Sequence, residues 1–276
     1  MVFDAAALHD GVSLKSQLNR GPDLTNSLLG VLLRFRQECI ALAPDIQSMF
    51  LQVKVPAEDA DALRFLWWED ANFRKPPEEY QMVSHIFGAK NSPSCANCCL
   101  KRTADNNKKI FSEEAFKSVQ EDFYIYDLLK AVETPSKAIS LAHKLMALLE
   151  RGGFRLTKWM SNSREVLASI PEDKRARPTV NLDLDELPID RALGVLWIVE
   201  TDVSQFEVFK PGKPATKPRV LSAISSLYDP MGFVCPVVLE AKKIMQGLWK
   251  LQLAWDDPVP ECELINAGET DFNPKT

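Results

Sequence analysis

The stretch that decides the fold is FYIYDLL (residues 123–129), a short apolar and aromatic run that contains one carboxylate. Aromatic and β-branched residues favour extended backbone, so the run predicts a strand that ends in an acid. A carboxylate at the tip of a buried strand is costly unless it is paired or meets a metal ion. The stretch alone favours a core strand with a solvated turn acid, and two other parts of the chain change that interpretation.

Length, charge and hydropathy limit the class of protein. The 276 residues carry a formal net charge of −5, with 46% hydrophobic side chains, which fits one large folded domain or two moderate ones. No apolar run approaches the ~20 residues of a membrane span, and the first residues lack a signal-peptide pattern. We therefore expect a cytoplasmic or nuclear protein with no membrane partner. Any nucleic-acid binding must come from local basic patches, because the overall charge is negative.

The six cysteines predict reduced thiols, since nothing in the sequence indicates secretion. Cys95, Cys98 and Cys99 resemble a metal-binding knuckle. No second cysteine pair accompanies them and the three histidines are scattered along the chain. We therefore expect small buried thiols rather than a zinc site.

Hydrophobic periodicity and punctuation predict an alternation of strands and helices. The predicted strands or extended segments are 40–46, 49–55, 63–68, 80–87, 122–127 and 154–159, with a hairpin formed by 192–200 and 206–209. The predicted helices are 23–36 (capped by Asp23), 92–107, 112–119, 134–150, 221–227 and 236–251. The block 53–87 predicts an antiparallel ribbon, 171–190 a surface loop, 210–219 a linker, and the chain from 256 an unstructured tail.

Several blocks, taken in order, resemble the reverse transcriptase of the Pao/BEL class of long-terminal-repeat retrotransposons. Asp45 ends a predicted strand within ALAPDIQSMF (residues 41–50), Phe50 follows it, and the FYIYDLL stretch comes later. The resemblance covers roughly residues 2–260 and is specific because long blocks match in the same order. The other matching blocks are VFDAAA (2–7), GVSLKSQLNRGPDLTNSLLGVLLRFR (11–36), ALRFLWW (62–68), FGAKNSPSCAN (87–97), GGFRLTKWMSNSREVLASIP (152–171), LDLDELPIDRALGVLW (182–197) and SSLYDPMGF (225–233).

The resemblance implies an α+β fold of the reverse-transcriptase palm type, with an antiparallel sheet flanked by helices, partial fingers and the start of a thumb. The implied segments are a fingers remnant at 1–22, palm at 23–52 and 92–209, a fingers ribbon at 53–91, a linker and the start of a thumb at 210–255, and a tail at 256–276. The implied activity is RNA-directed DNA synthesis by two-metal nucleotidyl transfer, with an RNA or DNA primer–template and a deoxynucleoside triphosphate as partners.

By the same resemblance, Asp45 and Asp127 would hold two Mg²⁺ ions. Two such ions, about 4 Å apart, need carboxylates on adjacent strand ends that bridge both of them. Phe50 would lie under the incoming sugar, and Lys158 would face the leaving pyrophosphate as a catalytic group, which is a looser match.

Two further sets of residues take roles from the resemblance. One set would line the nucleotide and the template: Phe87, Gly88, Ser92 and Pro93. The other set, in the predicted hairpin near residue 195, would hold the primer end: Leu193, Gly194 and Trp197.

The chain departs from the family pattern at its central motif. The family has Tyr-x-Asp-Asp, whereas Tyr126 stands here in the place of the first aspartate. A phenol is a poor ligand for hard cations. Asp127 is not an obvious substitute, because a shift of one residue along a strand reverses the side-chain direction. The basic strand that precedes VFD in the family is also missing, which predicts truncated fingers.

These departures predict an impaired polymerase of retrotransposon origin. The alternative is a non-catalytic remnant that binds nucleic acid or a protein. One basic group could face a phosphate backbone or form a solvated helix face: Lys101, Arg102, Lys108 and Lys109.

Overall fold

The computed structural model describes residues 3–69, 72–177, 187, 189–206, 216–250 and 253–259, with only the backbone described at 189–192. The chain divides into two compact units, Met1–Leu187 and Pro188–Thr276. The division falls inside the segment 92–209, which the sequence assigned to a single subdomain. No helix among these residues has the length and apolar character needed to cross a membrane.

The first unit contains seven strands and eight α-helices among its described residues. The strands are β1 (Ile40–Ile46), β2 (Arg64–Trp67), β3 (Glu78–Gln81), β4 (Phe123–Tyr124), β5 (Asp127–Leu128), β6 (Lys130–Val132) and β7 (Leu156–Met160). The helices are α1 (Leu14–Gln17), α2 (Leu28–Phe35), α3 (Met49–Gln52), α4 (Ala57–Ala60), α5 (Ser92–Asn107), α6 (Glu113–Glu121), α7 (Pro135–Glu150) and α8 (Arg164–Ser169). Two 3₁₀ turns, Asp61–Leu63 and Glu172–Lys174, complete this set.

The central strand of the main sheet is β1, which pairs antiparallel with β5, β6 and β7, while β4 forms a hairpin with β5. Every residue of β1 from Ala41 to Ile46 is buried except Asp45, which is half-buried. The register between β1 and β7 shifts between Ala43 and Asp45. Pro44 lies at this shift, where the missing N–H of proline removes no regular ladder hydrogen bond.

The helices α5, α6 and α7 cover the sheet with one contiguous apolar core. Thr134 caps α7 by accepting a hydrogen bond from the Lys137 N–H at 3.3 Å, with proline in the first turn. Leu141, Leu145 and Leu148 recur at helical spacing along α7 and are fully buried. Each such side chain contributes about 1.5–3 kcal/mol through burial. The predicted helices 92–107 and 134–150 agree closely with α5 and α7.

A buried ion-pair cluster fixes the residue that precedes the β4–β5 hairpin. The Asp122 side chain is only 2% exposed. Its carboxylate accepts a hydrogen bond from Arg34 Nε at 2.8 Å and lies 3.1 Å from Lys130 Nζ. The backbone of Asp122 also accepts from the Leu129 N–H at 3.0 Å. A buried carboxylate needs such partners, so α2 and β6 are both tied to the base of this hairpin.

The strands β2 and β3 form a separate antiparallel hairpin, with Arg64 opposite Gln81 and Phe65 opposite Tyr80. The rings of Phe65 and Tyr80 stack with centroids 5.9 Å apart. The ribbon predicted for 53–87 is therefore present, but β3 ends at Gln81. Beyond it, the chain keeps a single antiparallel bridge, between Lys54 and Ser84.

The second unit contains β8 (Ile189–Ala192), β9 (Val195–Ile198) and β10 (Val203–Gln205), in the order β10-β9-β8, together with α9 (Lys217–Ser226) and α10 (Cys235–Lys250). Leu193 and Gly194 turn the chain between β8 and β9 with φ of +50° and +87°, which suits a two-residue hairpin turn. The carboxylate of Asp229 accepts from the N–H groups of Phe233 and Val234 at 3.0 and 2.7 Å, just before α10 begins.

Several predicted boundaries were wrong in the first unit. The segment 49–55 contains the short helix α3, entered through Ser48 at φ +48°, rather than continuous extended chain. The cap of α2 is Ser27, whose Oγ accepts from the Gly30 N–H at 3.3 Å. Asp23 instead accepts from the Thr25 N–H at 3.1 Å in a local turn. The predicted strand 122–127 is split into β4 and β5.

Other differences concern the second unit and the cysteines. The strand β8 starts inside the predicted loop, and α9 starts inside the predicted linker. Val259 is buried against Met245 and Leu248, although the tail was predicted to begin at 256; residues 260–276 and 207–209 lie outside the described part. Cys95 is half-buried while Cys98 and Cys99 are exposed, so the prediction of buried thiols was wrong there. Among the described residues, no group of three or more histidines, cysteines or acids could hold a metal ion.

Candidate functional site

Two acids from distant parts of the sequence meet on neighbouring strands. Asp45 of β1 is the register partner of Asp127 of β5. The turn between β4 and β5 consists of Ile125 and Tyr126, with Ile125 at φ +59°, and a positive φ at the first turn residue suits a tight hairpin. The Ile46 N–H donates to the Tyr126 carbonyl at 2.9 Å, so this turn is fastened to the end of β1.

Asp127 does not turn away from Asp45, contrary to the prediction from a shift of one residue along a strand. Such a shift reverses the side-chain direction only within a continuous strand, whereas Asp127 is the first residue after a turn. Residues directly opposite in an antiparallel pair project to the same face, so Asp127 lies beside Asp45 and is half-buried. Tyr126 lies in the turn with 38% of its surface exposed.

The pairing of two acids has an electrostatic consequence. The pKa of Asp127 is raised to about 6, first by burial and then by the nearby charge of Asp45, while the charge of Lys158 lowers it. A carboxyl group with such a pKa is partly protonated at mildly acidic pH. The acid pair is therefore not an ordinary pair of solvated strand ends.

Two side chains of β7 donate hydrogen bonds to the carboxylate of Asp45, one to each oxygen. Thr157 Oγ1 donates to Asp45 Oδ1 at 2.9 Å, and Lys158 Nζ donates to Asp45 Oδ2 at 2.6 Å. The hydrogen bond to Asp45 raises the pKa of Lys158 above its ordinary value, and the charges of Asp45 and Asp127 add to this against the effect of burial. The ammonium is thus held as a cation at the acid pair.

An irregularity in β7 explains how consecutive residues reach the same carboxylate. Asp45 pairs with Thr157 and Ala43 pairs with Met160, so β7 has one residue more than β1 between these pairs. Lys158 lies in this bulge at φ +51°, which a lysine rarely adopts. In a regular strand, neighbouring side chains point to opposite faces, and a bulge redirects one of them.

These residues do not fit a two-ion magnesium site. Such a site needs carboxylates that can bridge both ions. Here the two oxygens of Asp45 already accept hydrogen bonds, Tyr126 offers only a neutral phenol, and Asp127 is the single remaining carboxylate of the cluster. By the family resemblance, an aspartate in the place of Tyr126 would supply the oxygens that are missing here.

The aromatic residues assigned to nucleotide binding contact each other. Phe50 lies on α3 and is buried, and its ring meets Phe87 edge to face with centroids 4.8 Å apart. Phe87 is half-exposed, so its ring covers Phe50 from the solvent side. The role of Phe50 beneath a sugar stays a prediction, as does the role of Phe87.

The next predicted residues form the entry to α5. Gly88 has φ +91°, and a Cβ there would lie 3.2 Å from the Phe3 carbonyl oxygen, so other residues are disfavoured. Ser92 is buried, and its Oγ donates to the Ile86 carbonyl at 2.7 Å. Pro93 occupies the first turn of α5. The contacts of Ser92 are structural, and any contact with a nucleotide stays a prediction.

The residues predicted to hold a primer lie in the second unit. Trp197 is buried on β9, and its Nε1 donates to Asp202 Oδ1 at 2.8 Å. Leu193 and Gly194 form the turn, and a Cβ on Gly194 would lie 2.9 Å from Tyr228 Cε1. In this arrangement the turn, rather than the indole of Trp197, is the part able to meet a ligand.

The predicted basic group on α5 is partly engaged within the chain. Lys108 Nζ lies 4.3 Å from the centre of the Phe116 ring and 3.9 Å from Glu113 Oε2. Lys101 Nζ donates to Asn26 Oδ1 at 3.4 Å. These contacts favour the solvated-face interpretation for this part of the helix.

Sequence reasoning missed Thr157, which binds Asp45 as directly as Lys158 does. A signal for the bulge was present in Pro44, because proline within a central strand indicates an interrupted ladder. No comparable signal indicates the positive φ of Lys158, since glycine or asparagine is the usual residue in that conformation.

Comparison with solved structures places this fold in a known class. The chain resembles the foamy viral protease-reverse transcriptase in complex with an RNA/DNA hybrid, with a TM-score of 0.51 and 12% identity over 89% of this chain and 28% of that one. It also resembles the foamy viral protease-reverse transcriptase dRH in complex with double-stranded DNA, with a TM-score of 0.54 and 12% identity over 93% of this chain and 39% of that one. The chain therefore has a mixed α/β fold similar to that of these two structures, and it spans well under half of their length.

A family comparison adds a more particular match. Residues 216–270 match the family described as "Pao retrotransposon-like RNaseH-like domain". No curated protein sequence matches the chain. The chain is thus similar in fold to these viral protease-reverse transcriptase structures, and a segment toward its carboxyl end resembles a Pao retrotransposon family.

Proposed function

We propose that this chain is a reverse-transcriptase-type palm of retrotransposon origin that binds primer–template and has lost efficient nucleotidyl transfer. The observation that carries the proposal is the pairing of Asp45 with Asp127 beside a turn that holds Tyr126. This is the strand-end arrangement that two-metal polymerisation needs, but one of its acids is replaced.

The exposed groups beside the acid pair are better suited to contact the end of a nucleic acid than to catalyse nucleotidyl transfer. Lys158 Nζ belongs to a side chain that is 71% exposed, so it can meet a phosphate while it offsets the charge of Asp45. The exposed ring of Tyr126 offers a stacking surface for a base. Both similar solved structures contain nucleic acid, an RNA/DNA hybrid in one and double-stranded DNA in the other, which supports a nucleic-acid partner for this fold.

The Pao-type segment does not by itself favour ribonuclease H chemistry. Its described residues, 216–250 and 253–259, form α9, α10 and an isolated bridge between Thr216 and Pro258. A ribonuclease-H-like fold needs a sheet that presents several carboxylates to metal ions. We therefore retain the thumb-like role that the sequence suggested for α9 and α10.

A second candidate function is a non-catalytic role with a protein partner. The net charge of −5 disfavours binding to phosphate backbones, and β2–β3 exposes Leu66 and Trp67 together with Tyr80. Exposed aromatic residues are common at protein interfaces. Retention of the acid pair with its bonded lysine is the reason to place nucleic-acid binding first.

Binding of an RNA/DNA hybrid is the expected result that tests the proposal. Fluorescence anisotropy should show binding at low salt that weakens steeply as salt rises, because phosphate contacts release counterions. Tyr126→Ala should weaken the affinity about 10-fold through the loss of base stacking.

The matched control is Tyr80→Ala, because Tyr80 is 36% exposed and Tyr126 is 38% exposed. The control should bind the hybrid as the natural chain does. A folded chain that ignores the hybrid at low salt would contradict the proposal and leave the protein-partner role. Equal losses in both variants would show that the acid pair is not the contact point.

A further inference from the structure

The acid pair already contains a cation, and that cation belongs to the chain. Lys158 Nζ lies 2.6 Å from Asp45 Oδ2, as close as a strong charge-assisted hydrogen bond allows. Thr157 Oγ1 occupies the other oxygen of Asp45 at 2.9 Å. A divalent ion at Asp45 would have to displace both contacts.

The backbone of β7 is shaped for this contact. The bulge opposite Pro44 places Lys158 at φ +51°, a conformation that costs a non-glycine residue energy and persists only when its surroundings require it. Because of the bulge, Thr157 and Lys158 both reach one carboxylate instead of pointing to opposite faces. The lysine contact is therefore a built feature of the strand and not a chance meeting of long side chains.

The remaining charges around the pair are consistent with a single internal cation. Asp45 is 16% exposed and Asp127 is half-buried, so two unneutralised carboxylates side by side would repel each other strongly. A third carboxylate in the Tyr126 position would create a need for divalent ions. With a phenol there, one ammonium neutralises half of the pair, and the protein can keep the site intact without a metal ion.

We propose that Lys158 is the resident counterion of the acid pair and excludes divalent metal from it. The proposal rests on the proposed function, since it assumes that the pair descends from a metal-binding palm. In this account Lys158 is a positioning residue that keeps β1, β5 and β7 together at the pair. The site is therefore independent of divalent metal ions in the natural chain.

Binding of Mn²⁺, followed by electron paramagnetic resonance, tests the proposal without reference to catalysis. The natural chain should bind Mn²⁺ no better than its general acidic surface does. Lys158→Gln should gain about 10-fold or more in Mn²⁺ affinity, because it removes a positive charge that competes with the ion for Asp45 and repels it at close range. Lys158→Arg should stay like the natural chain, because it keeps the cation.

The control variant is Lys137→Gln, which also removes a lysine paired with a carboxylate, Glu133 Oε2 at 2.9 Å, on the exposed start of α7. It should not change Mn²⁺ binding. Adding Asp45→Asn to Lys158→Gln should abolish the gain, which locates the ion at the pair.

Tight Mn²⁺ binding by the natural chain that requires Asp45 would overturn the proposal, as would a folded Lys158→Gln variant with no gain. Circular dichroism establishes that each variant is folded. Hybrid binding measured on the same variants separates the two ideas: hybrid binding without a gain in Mn²⁺ affinity rejects only the counterion role. If the natural chain itself does not bind the hybrid, the proposed function is rejected.

Discussion

Replacing Tyr126 by aspartate is expected to raise the rate of primer extension by about 10³-fold or more over the natural chain. The substitution places a third carboxylate in the turn next to Asp127 and opposite Asp45, where the chain now has a phenol. It would supply the missing bridging oxygens and enough negative charge to attract divalent ions against Lys158. The turn itself should tolerate the change, because Tyr126 is exposed and its backbone carbonyl makes the contact with Ile46.

The measurement is single-turnover extension of oligo-dT on a poly-rA template with Mg²⁺ or Mn²⁺. Tyr126→Asn is the matched control, since it has the size of aspartate without the charge and should stay as slow as the natural chain. Equal rates for the asparagine and aspartate variants would show that the carboxylate is not the missing element. Robust extension by the natural chain, abolished by Asp45→Asn, would contradict the whole account of a silenced site.

The second large effect concerns stability and pH at Asp127. Burial and the charge of Asp45 raise its pKa from the ordinary 3.8 to about 6. Between these values the folded chain binds more protons than the unfolded chain, so the free energy of unfolding decreases as pH rises through that window and stays lower above it. The shift corresponds to at most about 3 kcal/mol, and solvent screening of this half-buried group reduces the expected value to about 1–2 kcal/mol.

Asp127→Asn should therefore raise the free energy of unfolding at neutral pH by about 1–2 kcal/mol and flatten its pH dependence between about pH 4 and pH 6. Urea denaturation across this range measures both quantities. Asp59→Asn, which changes an exposed acid on α4, is the control and should leave the pH dependence as it is. Destabilisation at neutral pH by Asp127→Asn would mean that the fold stabilises the ionised form of this carboxylate, which contradicts a raised pKa.

The regular parts of the fold could be predicted because their signals are local. The apolar run of β1, the serine and threonine caps of α6 and α7, and the proline in the first turn of α5 each determine an element within a few residues of sequence. Asp45 was identified because ALAPDIQSMF (residues 41–50) resembles the acid block of the family, and the apolar run before it predicted a strand that ends in an acid. The position of Asp45 in the sheet then follows from β1 being the central strand.

The hairpin that carries Asp127 could not be predicted in the same way. FYIYDLL contains no glycine, asparagine or proline to indicate a turn, so its pattern predicts one continuous strand. The turn instead uses Ile125 at φ +59°, which is unusual for a β-branched residue. Pairing with β1, including the bond between Ile46 and the Tyr126 carbonyl, overrides the local preference.

Contacts between distant residues account for the other differences. The helix α3 replaces extended chain because Met49 and Phe50 are both buried, which a helical turn achieves and an alternating strand does not. The cluster of Asp122, Arg34 and Lys130 joins α2 to the hairpin region, and Arg34 and Asp122 lie 88 residues apart in the sequence. The bulge at Lys158 likewise depends on its partner strand, where Pro44 interrupts the ladder.

The central claim is that the acid pair receives a nucleic-acid end, and photocrosslinking tests it most directly. A primer with 4-thiothymidine at its 3′ end, annealed to an RNA template, would be irradiated with the natural chain, and the crosslinked peptides would be mapped by mass spectrometry. We expect crosslinks in residues 123–128, which carry the exposed Tyr126, and their loss in Tyr126→Ala. Crosslinks that fall elsewhere in the chain, with 123–128 unlabelled, would contradict it.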